Sequence, residues 1–191
     1  MGFFLETLFG GLMVGTLYAL IAIGFVLIFK ASGVFNFAQG AMVLFSALAM
    51  ARFSQWIPGW LGMEPGLVGN LLAIVVTLAL MVVVAWVIER LALRHLVNQE
   101  PITLLMATLG IAYLLDGLGP MVFGSEVYKI DVGMPKDPVF IMDSLFQGGV
   151  MISLEDLYAA CIAAIMVLAL SLFFQKTKTG RALRAVADDH Q

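Results

Sequence analysis

LFGGLMVGTLYALIAIGFVLIF (Leu8–Phe29), followed shortly by FNFAQG (Phe35–Gly40), is the stretch that decides how this chain folds. Between Thr7 and Ala51 the sequence carries a single charge, Lys30. The first string exceeds the roughly 20 apolar residues that one bilayer crossing requires. The second places two amides and a glycine where lipid or packed helix is expected. Such groups are costly unless other protein or a water-filled path receives them. A chain that only needed an anchor would have no use for that interruption.

Working outward, 62% of the residues are apolar and 12% are charged, with a mean hydropathy of +1.02. A soluble globular chain carries roughly twice that charged fraction. The expected fold is therefore all-α, a polytopic transmembrane helix bundle with about five membrane segments. These run from about Leu8 to Phe29, Val34 to Ala51, Leu67 to Ile88, Ile102 to Phe123 and Leu157 to Phe174. The N-terminus lacks a basic leader and its apolar stretch is too long for a signal core, so it reads as a retained first span. Glu6 stands where N-myristoylation would need Ser or Thr. Cys161 is the one cysteine, so neither an intrachain disulfide nor a thiolate metal cluster can form.

Loop charges orient the segments. Lys30, then Arg90 and Arg94, then Lys176, Lys178, Arg181 and Arg184 follow the first, third and fifth segments. If the segments alternate, these share one side, which the positive-inside rule makes cytoplasmic. The N-terminus is then outside and residue 191 cytoplasmic. Glu64, Glu126, Asp131, Asp137, Asp143, Glu155 and Asp156 occupy the opposite loops, with Arg52, Lys129 and Lys136 dissenting. The net charge of −3 matters less than this sidedness. The outer loop, 124–155, holds an alternating stretch at Val127–Val132, turn residues at Gly133–Pro138, and a return strand at Val139–Met142. It reads either as a solvated connector or as a docking surface for an external partner.

Several residues stand out within the segments. Gly11, Gly15 and Ala19 recur at every fourth position and form a helix-packing stripe. Ala159 with Ala163 and Ala160 with Ala164 form a weaker one. After Gly40 only about a dozen apolar residues precede Arg52, roughly 17 Å of helix. The second helix therefore either includes Asn36 and Gln39 at membrane depth or is broken there beside a cavity. The amides serve either interhelical hydrogen bonding or the wall of a path. Asp116 is a candidate intramembrane polar site, or an interfacial cap if Gly117-Leu118-Gly119-Pro120 ends the helix first. From Thr179 the tail reads as a short basic amphipathic helix, suited to anionic lipid or to a groove on a cytosolic partner.

With these residues in view, the chain resembles the branched-chain amino-acid ABC transporter permease family, LivH-like. The similar stretches are Gly15–Gly24, Gly33–Gly40, Thr103–Ile111 and Thr179–Asp188, in that order. The resemblance implies a single transmembrane permease domain over 1–191, C-terminally incomplete because family members continue into further helices. It implies that Asn36, Phe37, Gln39 and Gly40 lie beside a translocation path. Segment 175–191 would be the cytoplasmic coupling segment, where Gly180, Arg181, Leu183, Arg184 and Asp188 dock on an ATPase subunit. The implied partners are cytosolic ABC ATPase subunits, a second permease subunit, an extracytoplasmic solute-binding protein and membrane lipid, with no nucleic acid and no cofactor. The implied cargo is a branched-chain amino acid or a related small polar solute such as urea or an amide, and the implied location is a bacterial-type cytoplasmic (inner) membrane. No Walker A sequence is present, so energy would come from separate subunits. His95 and His190 stand apart from other ligands and suggest neither a metal site nor an enzyme. The competing reading is an ion-coupled secondary transporter or channel using Asp116 and the amides.

Overall fold

The computed structural model describes residues 2–32, 35–62, 64, 66–96, 99–126, 138–141 and 150–177. In chain order these form α1 (Gly2–Ser32), α2 (Ala38–Leu61), α3 (Leu67–Leu91), a 3-10 turn (Leu93–Leu96), α4 (Pro101–Phe123), β1 (Pro138–Ile141), β2 (Val150–Ser153) and α5 (Leu154–Lys176). Among the described residues five helices are long and apolar enough to cross a membrane. The shortest have 23 residues, about 35 Å against a hydrocarbon thickness of about 30 Å. The tail residues Gly180, Arg181, Leu183, Arg184 and Asp188 and the stretch Val127–Val132 lie outside the described residues.

The chain divides into two compact units, Val34–Gly133 on one hand and Met1–Gly33 with Met134–Gln191 on the other. In the Val34–Gly133 unit, α2 packs against both α3 and α4. Ala38, Ala41, Phe45 and Ala49 of α2 are buried with Ile111, Leu115 and Phe123 of α4. Three of the four α2 residues are alanines, so the two backbones approach closely, as packing within lipid requires. Phe123 meets Phe45 edge-on at 5.3 Å and Phe53 at 6.0 Å between ring centres. Such pairs contribute about 0.5–1.5 kcal/mol each beyond their area.

Register fixes direction. Phe37 meets Thr108, Leu48 would meet a side chain placed at Gly119, and Arg52 meets Phe123. All three pairs are separated by 71 residues. The helices α2 and α4 therefore run parallel and do not slip against each other. The pairing of α3 with α2 is antiparallel. Thr77 lies 3.8 Å from Met50 Sδ, and Gly69 sits against Pro58. Gly62, at φ 64, terminates α2 in the left-handed region, and its N–H returns to the Pro58 carbonyl.

One expectation changes here. The second segment does not end at Ala51; α2 passes through Arg52 and continues to Leu61. Arg52 is accommodated because its Nε donates to the Phe123 carbonyl at the C-terminal end of α4, and its guanidinium lies 5.2 Å from the Trp56 ring centre. A cation at a helix C-terminus meets the negative end of the dipole, and an indole face adds attraction.

In the other unit α1 packs on α5, and β2 contacts both helices. The strands pair antiparallel, with Phe140 opposite Met151. The expected strand at Val139 is present, and its partner is the downstream segment Val150–Ser153. Met151 N–H donates to Glu6 Oε1 at 2.9 Å, which ties the hairpin to the start of α1. Because β2 leads directly into α5, the N-termini of α1 and α5 share an end. Ser153 caps α5, accepting from Asp156 N–H at 3.4 Å, and Glu155 and Asp156 in the first turn suit the helix dipole.

The helix contact within this unit uses the weaker of the two small-residue stripes. Ala160 and Ala163 of α5 are buried, while Met13, Thr16 and Leu20 of α1 are half-buried. Gly11, Gly15 and Ala19 are exposed instead. Nothing lies within 4 Å of a Cβ built at Gly11 or Gly15. A glycine stripe permits close approach without compelling it, and the longer side chains of the other face fill the contact with α5.

A Cβ at Gly69 would come within 2.9 Å of Pro58 Cγ, on a ring that cannot rotate away. Gly69→Ala is expected to cost about 1–3 kcal/mol, lowering the thermal midpoint of the detergent-solubilised protein. Gly11→Ala, in open space, should leave that midpoint unchanged or raise it slightly.

Candidate functional site

The apolar helix α1 ends at Ser32 and α2 begins at Ala38, so the Phe35–Gly40 interruption is a helix N-terminus. A helix start leaves its first N–H groups without intrahelical acceptors, and in hydrocarbon these need partners from the protein. Here each of three has one. Phe37 N–H donates to Thr108 Oγ1 at 3.4 Å. Ala38 N–H donates to Asn36 Oδ1 at 3.0 Å, and Gln39 N–H donates to the Asn36 carbonyl at 3.3 Å. Asn36 therefore caps from the chain side and Thr108 from the neighbouring helix. The hydroxyl proton of Thr108 goes to the Leu105 carbonyl at 2.8 Å, which leaves its lone pair aimed at Phe37.

Depth follows from α4. Thr108 stands seven residues into a helix that starts at Pro101, about 10 Å along its axis. If α4 spans the membrane, the start of α2 lies inside the hydrocarbon layer rather than at its surface. Of the two amides, Gln39 lies inside α2 and Asn36 just before its start.

The sequence-predicted path residues separate. Asn36 is half-buried, Gln39 is buried within the three-helix unit, and Phe37 and Gly40 are exposed. Gly40 has no atom within 4 Å of where a Cβ would stand. Phe37 and Gly40 thus share an open face, and Gln39 belongs to the packed side.

Asp116 does not cap α4. The helix continues through Gly117, Gly119 and Pro120 to Phe123, and Gly124 closes it at φ 88 with its N–H on the Pro120 carbonyl at 2.8 Å. Asp116 is the one charged residue of α4, exposed and seven residues from its end. An Asp facing lipid deep in a span costs roughly 2.5–3.5 kcal/mol on insertion scales.

The residue that sequence reading passed over is Thr108. It was visible only as one polar letter within the Thr103–Ile111 stretch, because no spacing rule links it to Phe37 across 71 residues. Arg52 stands out in the sequence as the end of an apolar run and as a charge that dissents from the loop pattern. Buried polar residues of α3, Asn70 and Thr77, also face the packed interior, with Thr77 Oγ1 donating to the Ala73 carbonyl at 2.7 Å. Among the described residues no group of three or more His, Cys, Asp or Glu side chains could hold a metal.

Five spanning-length helices, one of them with its first donors met by Asn36 and by Thr108 of a neighbouring helix, define a polytopic helical membrane protein. The chain belongs to the family described as branched-chain amino acid transport system / permease component, whose model matches residues 7–191. It is 30% identical to the high-affinity branched-chain amino acid transport system permease protein LivH of Escherichia coli over 203 aligned residues. It is 29% identical to LivH of Salmonella typhimurium and 27% identical to the corresponding protein BraD of Pseudomonas aeruginosa. The alignments cover 97–98% of this chain and 60% of the relatives' length. No solved structure matches it.

Thr108→Val keeps the shape and removes the acceptor for Phe37 N–H. It is expected to cost about 1 kcal/mol and to speed hydrogen exchange at the Phe37 amide, while Thr108→Ser retains protection. Exchange mass spectrometry of the solubilised protein reads both.

Proposed function

We propose that the chain is part of a membrane permease subunit of an ABC importer, carrying branched-chain amino acids or a related small polar solute such as urea or an amide. It performs no covalent chemistry. ATP binding and hydrolysis on separate cytosolic subunits switch its helices between outward and inward access. The observation that carries this reading is the helix start at Phe37–Gln39. A backbone break at membrane depth is tolerated only where protein or a water-filled cavity covers it, and Phe37 and Gly40 on its open face are the residues placed to line such a cavity. Asn36 and Gln39 hold the break in shape, Asn36 through its cap. Family membership supports the same assignment.

Orientation is part of the proposal. Lys30, Arg90 and Lys176 stand in the last turns of α1, α3 and α5. The positive-inside rule then places the N-terminus outside and the tail in the cytoplasm of a bacterial-type inner membrane. Arg90 lies 5.3 Å from the ring centre of Trp86, a pairing suited to the headgroup zone. The hairpin β1–β2, held by Glu6 at the outer end of α1, lies where an extracytoplasmic solute-binding protein would approach. The basic tail, with Gly180, Arg181, Leu183, Arg184 and Asp188, is assigned to the ATPase subunit and lipid surface, and a second permease subunit completes the pore.

The complete protein, solubilised gently, is expected to co-purify with an ATPase and to support leucine uptake into vesicles only when ATP is supplied. Gly40→Trp, which fills open space on the path face, should reduce that uptake about tenfold or more by obstruction without lowering the amount of protein in the membrane. ATP-independent uptake driven by an ion gradient would replace this reading with a secondary transporter.

A further inference from the structure

The flank of the α2–α4 pair that carries Asp116 is built for a particular chemistry. The two helices are parallel and bury Phe45 and Leu115 between them. At 100° per residue, the position before Phe45 and the position after Leu115 turn toward the same flank. Those positions are Leu44 and Asp116, and both are exposed. Phe37, two turns before Leu44, and Tyr113, one turn before Asp116, are exposed as well. The strip is apolar and aromatic with one carboxylate in it.

A second acceptor lies beside the carboxylate. Pro120 is inside α4, and proline has no N–H to give the carbonyl four residues earlier. That carbonyl belongs to Asp116. Among the described residues the Asp116 side chain forms no hydrogen bond or ion pair. The described cations of the same unit, Arg52, Arg90 and Arg94, lie at the level of helix ends. Asp116 is seven residues, about 10 Å, inside its own helix end, and a carboxylate on one methylene cannot reach out that far as a Lys or Arg would.

We propose that the Asp116 carboxylate and its own backbone carbonyl form a transient site for the ammonium group of an α-amino acid, with Leu44 and Phe37 taking the hydrocarbon side chain. Two acceptors and no donor select a cation with several N–H groups, and an ammonium has three. The open space at Gly117, with no atom within 4 Å of a Cβ, leaves room beside the carboxylate. The carboxylate holds its partner without a fixed protein counter-charge, which suits a cargo that must also leave. This inference rests on the importer reading above and names the part of the cargo that the permease itself touches.

The test uses membrane vesicles containing the complete protein with its co-purifying partners, carrying Leu44→Cys together with Cys161→Ala. Leucine is expected to slow thiol labelling at position 44 about tenfold, as a charge-assisted hydrogen bond would. The probe 4-methylpentanoate, with the same hydrocarbon skeleton and no ammonium, should not slow it. Asp116→Asn should abolish the protection and Asp116→Glu should keep it. Pro120→Ala, which restores the missing N–H, should weaken it several-fold with the charge intact. Equal protection by the two compounds, or protection that survives Asp116→Asn, overturns the proposal. Intact ATP-driven leucine uptake with no protection at position 44 sinks this site alone, whereas loss of uptake in the unsubstituted protein sinks the importer reading beneath it.

Discussion

Hydrocarbon offers no hydrogen bonds, so a helix that begins inside it must bring its own acceptors. That constraint shapes the Val34–Gly133 unit. The first turn of α2 cannot be satisfied by Asn36 alone, because one side chain and one carbonyl serve only Ala38 and Gln39. Phe37 needs Thr108, which lies on another helix. Meeting that need fixes α4 at a particular height and rotation beside α2, and the alanines Ala38, Ala41 and Ala49 then let the two approach. Farther along, Arg52 turns the loose carbonyl at the end of α4 into a partner. The aromatic cluster around Phe123 closes over the same end.

The unit containing α1 and α5 answers a milder version of the problem. Its helices are long enough to place their ends beyond the hydrocarbon, so capping is local: Ser153 serves α5, and Glu6 receives a strand N–H from the hairpin. The contact between α1 and α5 relies on packing of Ala160 and Ala163. The exposed glycine stripe Gly11, Gly15, Ala19 keeps its capacity for close approach unused within the unit. Two units of one chain thus solve membrane folding by different means, one by polar clasps and the other by small buried residues.

How much of this was legible in the sequence depends on whether the signal was local. Span number and position follow from apolar runs, and the helices match the expected segments closely except where a charge was taken as a boundary. Arg52 looked like the edge of the second span because its acceptor, the Phe123 carbonyl, is distant in sequence. Asp116 read as either an intramembrane site or a cap because Gly and Pro are helix breakers on average, yet Pro120 falls in the last turn, where little helix remains to be disrupted. The interruption at Phe35–Gly40 was readable as a break, since amides in an apolar run demand one. Its partner Thr108 was not, because a single threonine in a span carries no sign of what it faces. The glycine stripe failed in the opposite way: a strong local pattern without a partner in its unit.

The constant spacing between α2 and α4 has a mechanical meaning. One hydrogen bond at the start of α2 and another at the end of α4, in identical register, act like two rungs of a ladder. Sliding one helix past the other by a single turn would break both rungs and the ring contacts at once, so there is no gradual path between registers. Force applied to either helix therefore shifts the pair together. Those two bonds make α2 and α4 a single lever that ends at the capped start of α2.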